Sequence, residues 1–579
     1  MFRKNDQHQQ LPMFSSINSL PEKLQKRLAE SWAGTFYREF FVRIDEKPYA
    51  VLYADEPSRP NIPVNIQVGL ETLKSGFGWS DEEMYDHFCY DVQVRYALGY
   101  RDLSEGHFEL RTTYNFRQRV AQYMQETGQN LIEQTFEQVT DEQITAFALK
   151  TGKLRMDSTL IASNIRKTTR LQLLVEVLQR VHRMLSEADQ QRYTDEFAPY
   201  LKGSSGQYIY RLKGEAYDEH IQRIGELMHK LVEELPASYG HEAAYQVLRR
   251  VFQEHFTIEE SDLRAKEGKE LSASSLQSPD DWEATYRQKR GEDHVGYVAS
   301  VTETCDPDNP FQVITKIQTE SNNTDDAAML AEALPGLKER TGVEQMNTDG
   351  GYNSAAVDAA MRENKVEQIQ TAIRGRQPTA EKLGLDDFAW ETDSDSQPLS
   401  ITCPQGQQAG VEPGRKEQRY RVAFEASACA DCPLSARCPS RPLKRKPERV
   451  LRFSQAEVDL ALRRQRSAQA RASGQNLRSA VEATVRAVKH PFGNGKVPVR
   501  GKARVSMVMI GPAAMNNVRQ IHRYLTDPSR AGGAEKGAPK GTSRAQEQPA
   551  VSLSAFLWTP FRACLRWASL LQPALAYQS

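Results

Sequence analysis

Three acids in this 579-residue chain stand where a metal-bound reaction centre would need them. The first closes Lys153-Leu154-Arg155-Met156-Asp157-Ser158-Thr159, which reads as a short strand ending on an acid. Side chains alternate along a strand, so Leu154 and Met156 face one way and Arg155 and Asp157 the other. The second acid follows a weak strand, Val343 to Thr348, and begins Asp349-Gly350-Gly351-Tyr352-Asn353-Ser354. The two glycines allow a sharp turn, and Asn353 or Ser354 suits the cap of a helix starting at Ala355. The third is Glu482, within Arg478-Ser479-Ala480-Val481-Glu482 and the run on to Lys489. Leu477, Val481, Val485 and Val488 recur there at helical spacing. At about 100° per residue, Arg478, Glu482 and Lys489 fall within about 40° of one another, so one helix face presents an acid between two cations. Taken singly, each stretch has a plainer reading: an acid in a strand-end turn, or a solvated helix face with an ordinary i,i+4 pair. Taken together, Asp157, Asp349 and Glu482 are hard oxygen ligands, which suit Mg²⁺ or Mn²⁺ rather than zinc. Three carboxylates packed together repel one another, so a cation serves the electrostatics as well as the reaction.

In this order and context the three stretches resemble the bacterial insertion-sequence transposases of the DDE class, whose catalytic domain is RNase H-like. In that family the first acid lies in an Asp-Ser-Thr context, the second in Asp-x-Gly-Tyr, and the third in Tyr-x2-Arg-x3-Glu-x6-Lys. This chain has Asp157-Ser158-Thr159, Asp349-Gly350-Gly351-Tyr352, and Arg478-x3-Glu482-x6-Lys489, with Gln475 at the tyrosine position. The resemblance runs from about residue 60 to 525. It implies that Asp157, Asp349 and Glu482 are catalytic and hold Mg²⁺, and that Arg478, Lys489 and Arg486 contact DNA. The implied substrate is double-stranded DNA, both terminal inverted repeats and target, handled by a homodimer. Water cuts at the element end, and the freed 3′-hydroxyl attacks a phosphodiester of the target. Two rivals stand beside this: a metal-dependent DNA nuclease that joins nothing, and a catalytically inactive DNA-binding derivative.

Size and charge fit that reading. A chain this long exceeds one hydrophobic core and implies several domains. Its net charge is −1, yet residues 441–504 hold 17 Lys and Arg against 4 Asp and Glu. That is a local basic field of the kind a phosphate backbone requires. The N-terminus is no secretion signal and no apolar run spans a bilayer. Seven cysteines make no disulfide framework, and a cytoplasmic, nucleoid-associated location is expected.

The elements that must position the acids are read as a multi-domain α+β chain. An N-terminal segment (1–60) precedes an all-α DNA-binding domain (61–150), with a helix start at Ser80 and Glu83 and arginines at Arg95, Arg101, Arg111, Arg117 and Arg119. An RNase H-like mixed-sheet core is assembled from 151–165, 291–375 and 471–525. Stripes such as Leu171, Leu174, Leu178 and Val181 mark 166–290 as an all-α insertion. Val295 to Ile317 reads as a hairpin turning at Asp306-Pro307-Asp308-Asn309-Pro310. A second, basic insertion (376–470) holds Cys403, Cys429, Cys432 and Cys438; structural zinc and reduced structural thiols are both open there. Residues 526–579 read as a flexible tail.

Overall fold

The computed structural model describes residues 2–9, 15–54, 60–212, 217–259, 262–373, 381–393, 397–474 and 476–527. Gln475, Cys564 and the tail from 528 onward lie outside the described residues. Among the described residues, seven α-helices come first: α1 (Glu22–Ala29), α2 (Trp32–Glu39), α3 (Val64–Phe77), α4 (Asp81–Tyr90), α5 (Val92–Ala97), α6 (Leu110–Thr127) and α7 (Leu131–Ala146). The helix start read at Ser80 is a reciprocal cap: Glu83 N–H donates to Ser80 Oγ at 3.1 Å, and Ser80 N–H donates to Glu83 Oε2 at 2.8 Å.

Strand β1 (Lys153–Ala162) carries the first acid and is followed by helices α8 (Arg170–Met184), α9 (Glu187–Arg192), α10 (Thr194–Phe197), α11 (Ser205–Tyr210), α12 (Tyr217–Glu234), α13 (Pro236–Tyr239) and α14 (Ala243–His255). Leu174, Leu178, Val181, Ile224, Leu231 and Val251 pack into a core of their own. The insertion is not all-α, however. Strands β2 (Phe256–Glu259) and β3 (Asp262–Ala265) form a hairpin, and β4 (Thr285–Lys289) pairs with the sheet that holds β1. Four-residue strands offer too short an alternation to stand out from the helical stripes around them.

The main sheet continues with β5 (Glu292–Thr304), β6 (Ile314–Ser321), helix α15 (Asp326–Thr341), β7 (Gln345–Thr348), helix α16 (Ala355–Glu363) and β8 (Glu367–Gln370). β5 runs antiparallel to β1, β4 and β6, while β7 is parallel to β1 and to β8. The expected hairpin forms, but its return strand starts at Ile314; Phe311 and Val313 instead bury beside Leu149 and Ile521. Gly296 lies opposite Ala162 with φ +141°, and a Cβ there would sit 2.3 Å from the Ile161 carbonyl oxygen. Only glycine lets the two strands approach in that conformation.

A second, fully antiparallel sheet is built from β9 (Ala389–Thr392), β10 (Pro398–Thr402), β11 (Gln408–Pro413), β12 (Arg419–Glu425), the short helix α17 (Ala426–Ala430), β13 (Arg441–Pro442) and β14 (Glu448–Ser454). Helix α18 (Gln455–Ala472) then returns the chain to the main sheet, where Arg362 pairs with Asp459 at 2.6 Å, Arg466 with Glu367 at 2.9 Å, and Arg463 with Asp358. The last helices are α19 (Val481–Lys489) and α20 (Lys502–Thr526).

The main sheet is covered on both faces. Leu154 and Met156 of β1 bury against Leu330, Leu334, Val357 and Met361 of α15 and α16. Ile161, on the opposite face of β1, joins a core with Tyr297, Val301, Val485 and Met509, and with Leu70, Leu73 and Phe136 of the N-terminal helices. The N-terminal helices and the sheet therefore share one core, and α20 is the element that joins them. Helix α20 is 25 residues long and runs through Pro512. A proline inside a helix forfeits one backbone hydrogen bond, and here the buried residues on both sides of it hold the helix continuous.

Candidate active site

Strand register brings the first two acids together. β1 and β7 pair in parallel with Arg155 beside Asn347, so two further residues on each lead to Asp157 and Asp349. Adjacent strands lie about 4.8 Å apart. The chain turns at once, with Gly351 N–H donating to Asp349 Oδ1 at 2.7 Å. Ser354 caps the following helix, accepting from Val357 N–H at 3.2 Å.

Glu482 reaches the same place through Arg478. The Arg478 guanidinium lies 2.9 Å from Asp157 Oδ2 and 3.4 Å from Glu482 Oε1. Asp157 and Arg478 are largely enclosed, whereas the Glu482 side chain is 53% exposed. Burial pushes the Asp157 carboxyl above its usual range; Arg478 and the Ser158 N–H oppose the shift, and the Asp349 charge adds to it. Tyr352, from the Asp-Gly-Gly-Tyr stretch, is fully buried, and its hydroxyl is pushed well up by burial and then by Asp326 and Asp157. Ser158 Oγ donates to Asp326 Oδ1 at 2.8 Å, which ties the residue after the first acid to the start of α15.

A second set of residues, silent in the sequence, fixes α19 against the sheet. Arg155 Nε lies 2.7 Å from Glu303 Oε1, and Arg155 Nη1 donates to the Leu477 carbonyl at 2.7 Å. Thr484 Oγ1 donates to Glu303 Oε2 at 2.8 Å. These bonds flank Arg478 and Glu482 in the chain, so a buried ion pair on β1 and β5 sets the position of the third acid. The sequence put Arg155 on the face of Asp157, two residues earlier, but nothing in it marked Glu303 or Thr484 as its partners.

The remaining cations divide. Arg486 and Lys489 make no ion pair among the described residues. Lys489 is half-buried, and burial followed by the charge of Lys289 lowers its ammonium pKa. Its stem lies on Gly495, where a Cβ would meet Lys489 Cε at 2.0 Å. Of the N-terminal arginines, Arg95 and Arg101 are structural: both are buried, with guanidinium groups 4.3 Å from the Tyr100 and Tyr96 rings respectively. Arg117 pairs with Glu71 and Asp81 at 2.7 and 2.6 Å. Arg111 and Arg119 are exposed, as are Lys444, Arg445 and Lys446 in the turn between β13 and β14.

Among the described residues, no group of three or more His, Cys, Asp or Glu is set to hold a metal ion. At the acids the reason is visible: Arg478 occupies the space between Asp157 and Glu482. Chemically the donor set still suits a hard cation, because two acids face each other and the charge compensating them is a single guanidinium. Cys403, Cys429, Cys432 and Cys438 gather at one corner of the second sheet as free thiols. Burial raises the Cys429 thiol; Arg449 opposes this, and Cys438, Cys432 and Cys403 add to it.

Compared with known proteins, residues 402–522 match the family model described as a transposase DDE domain. The match takes in Arg478, Glu482, Arg486, Lys489 and the four cysteines, and stops short of Asp157 and Asp349. No curated protein and no solved structure matches the chain. No helix of the described residues is long and apolar enough to cross a membrane.

Proposed function

We propose that this chain is a DDE-class transposase that binds the terminal inverted repeats of its element, cuts DNA at their ends and joins the 3′-hydroxyl to target DNA, a reading supported by the family match at residues 402–522. The observation that carries this is that Arg478 bonds both Asp157 and Glu482 while the parallel register of β1 and β7 sets Asp349 beside Asp157. The order β6-β5-β1-β7-β8, antiparallel on one side of β1 and parallel on the other, supports an RNase H-like core assembled from 151–165, 291–375 and 471–525. The exposed Arg111 and Arg119 support recognition by the helical region 61–150, and the basic β13–β14 turn supports a DNA contact from the 376–470 insertion. A homodimer on DNA would present two such centres.

Asp157, Asp349 and Glu482 are the residues that would hold Mg²⁺ or Mn²⁺. Bound there, such cations would supply activation of water or a 3′-hydroxyl and stabilisation of the leaving oxygen. Arg478 holds Asp157 and Glu482 side by side; released from them, its guanidinium is placed to take a backbone phosphate. Arg486 and Lys489, further along the same helix, extend that contact and position the strand without reading its sequence.

The test is a reaction with labelled DNA carrying the element's ends, Mg²⁺ and a target plasmid. Joined product is expected. Cut ends with no joined product would favour a plain nuclease, and a gel shift with neither product would favour a binding-only descendant.

A further inference from the structure

We propose that the tip of the β4–β5 hairpin and the loop after α19 form a basic edge that grips duplex DNA beyond the catalytic acids. Its cations are Lys167, Lys289, Arg290, Lys489 and Lys496, of which only Lys489 belongs to the helix of the third acid.

Contacts between four segments of the chain build this edge. The Lys489 stem lies on Gly495. Lys496, the next residue, pairs through its backbone with Ala162 at the end of β1, and its Nζ donates to the Ile165 carbonyl at 3.1 Å. Two residues past Ile165, Lys167 Nζ donates to the Asp293 carbonyl of β5 at 3.4 Å. The hairpin tip is Lys289-Arg290-Gly291-Glu292, closed by the pairing of Lys289 with Glu292.

The charge on this edge is not neutralised by the protein. Lys167, Lys289, Arg290 and Lys496 are exposed, and Lys489 is half-buried. None of the five makes an ion pair among the described residues, whereas Arg500 in the same loop pairs with Asp280 at 3.5 Å. The two acids of the hairpin are turned to other partners. The Asp293 carboxylate accepts from the Tyr286 hydroxyl at 2.6 Å and from the Gln288 amide at 3.3 Å, and Glu292 lies 4.0 Å from His294. Burial and then the charge of Lys289 hold the Lys489 ammonium below its usual pKa. A polyanion laid across the edge relieves that repulsion.

The backbone of the tip adds an independent sign. Arg290 and Gly291 have φ of +55° and +81°. A two-residue hairpin turn calls for positive φ, which glycine and asparagine adopt most readily. Arginine at the first position keeps a cation at the tip at a cost in backbone strain, and such strain collects where a side chain serves a contact.

The spacing fits DNA. At about 1.5 Å per residue, Lys489 stands about 10 Å along the α19 axis from Glu482. Phosphates of one strand follow one another about every 3.4 Å along a duplex, so the edge begins about three phosphates from the one at the acids. All five residues are cations, with no ring among them for an unpaired base to stack on, which suits a duplex rather than a single strand. Contacts of this kind fix the position of the duplex without reading its sequence. That the polyanion is DNA rests on the proposed function; the clustering of the cations does not.

The experiment titrates the full chain into a fluorescent duplex of about 40 base pairs and arbitrary sequence, reading anisotropy between about 50 and 200 mM salt. Lys289→Gln combined with Arg290→Gly removes two cations, and glycine suits the turn, so this variant should melt no earlier than wild type. The slope of log affinity against log salt should flatten by about two units, so its deficit against wild type should widen about tenfold as salt falls over that range. Lys202→Ala combined with Arg249→Ala removes two exposed cations of the helical insertion, away from the edge, and should leave the slope unchanged. No binding by wild type at the lowest salt, a wild-type slope in the hairpin variant, or equal flattening in both variants would overturn the proposal. The expected slopes in a chain that neither cuts nor joins DNA would defeat the proposed function and leave this edge standing.

Discussion

Replacing Glu303 with alanine removes one half of a buried ion pair and leaves Arg155 charged and enclosed. The Arg155 and Glu303 side chains are 9% and 2% exposed, so solvent cannot compensate. Breaking a buried pair in this way costs about 3–5 kcal/mol. Thr484 loses its acceptor at the same time, so the cost falls on the contact between β1, β5 and α19. At about 1.4 kcal/mol per factor of ten, local opening of α19 should become about a hundred to a few thousand times more frequent. Hydrogen exchange of peptides covering Val481–Lys489 reads this directly. Thr484→Val forfeits only a hydrogen bond to a charged group, about 1.5–3 kcal/mol, and should raise exchange by about ten- to a hundredfold. Exchange in Glu303→Ala within about threefold of wild type would refute the idea that this pair locks the helix of the third acid.

Arg478→Ala and Lys489→Ala each remove a proposed phosphate contact, so the salt dependence of DNA binding should flatten by about one unit per variant in a gel-shift titration. Burial, opposed by Arg463 and aided by Asp459, pushes Asp358 from 3.8 up to about 6. A carboxyl raised on folding stabilises most below its unfolded value and loses that contribution as pH rises through the folded one. The melting temperature of wild type relative to Asp358→Asn should therefore fall between about pH 4 and pH 6, and a constant or rising difference would contradict it. Metal analysis separates the two readings of the four cysteines of the second sheet: one zinc per chain, with thiols that react only after chelation, marks a structural zinc site, and no zinc with freely reacting thiols marks reduced structural cysteines.

Asp349 was legible at the end of a strand and Glu482 on a helix face, whereas Asp157, read as the end of a short strand, lies in the middle of β1, which runs on to Ala162 because residues 158–162 stay paired with β5. Asp157 and Asp349 follow from alternation and glycine turns, and the parallel register then does the rest. Glu482 was legible as a helix residue, but its helix begins only at Val481, and Leu477, read as part of the stripe, instead lends its carbonyl to Arg155. Arg155, Glu303 and Thr484 were illegible because their meaning lies in pairing across long sequence separations, which no local period records. The second sheet was missed for a different reason: β12 alternates cleanly between exposed and buried residues, but β9 and β11 of the same sheet are short and carry few apolar residues to repeat the period. Arg95 and Arg101 misled in the opposite sense: arginine composition suggested a DNA surface, while aromatic rings hold both inside.

Asp157, Asp349 and Glu482 are proposed to act as one set. The decisive measurement is joining of labelled element ends to target DNA, in Mg²⁺ alone, by wild type and by Asp157→Asn, Asp349→Asn and Glu482→Gln, with a gel shift on each. The predicted result is joined product from wild type only, with all three variants still binding DNA. Joining at the wild-type rate by any one of the three would contradict it.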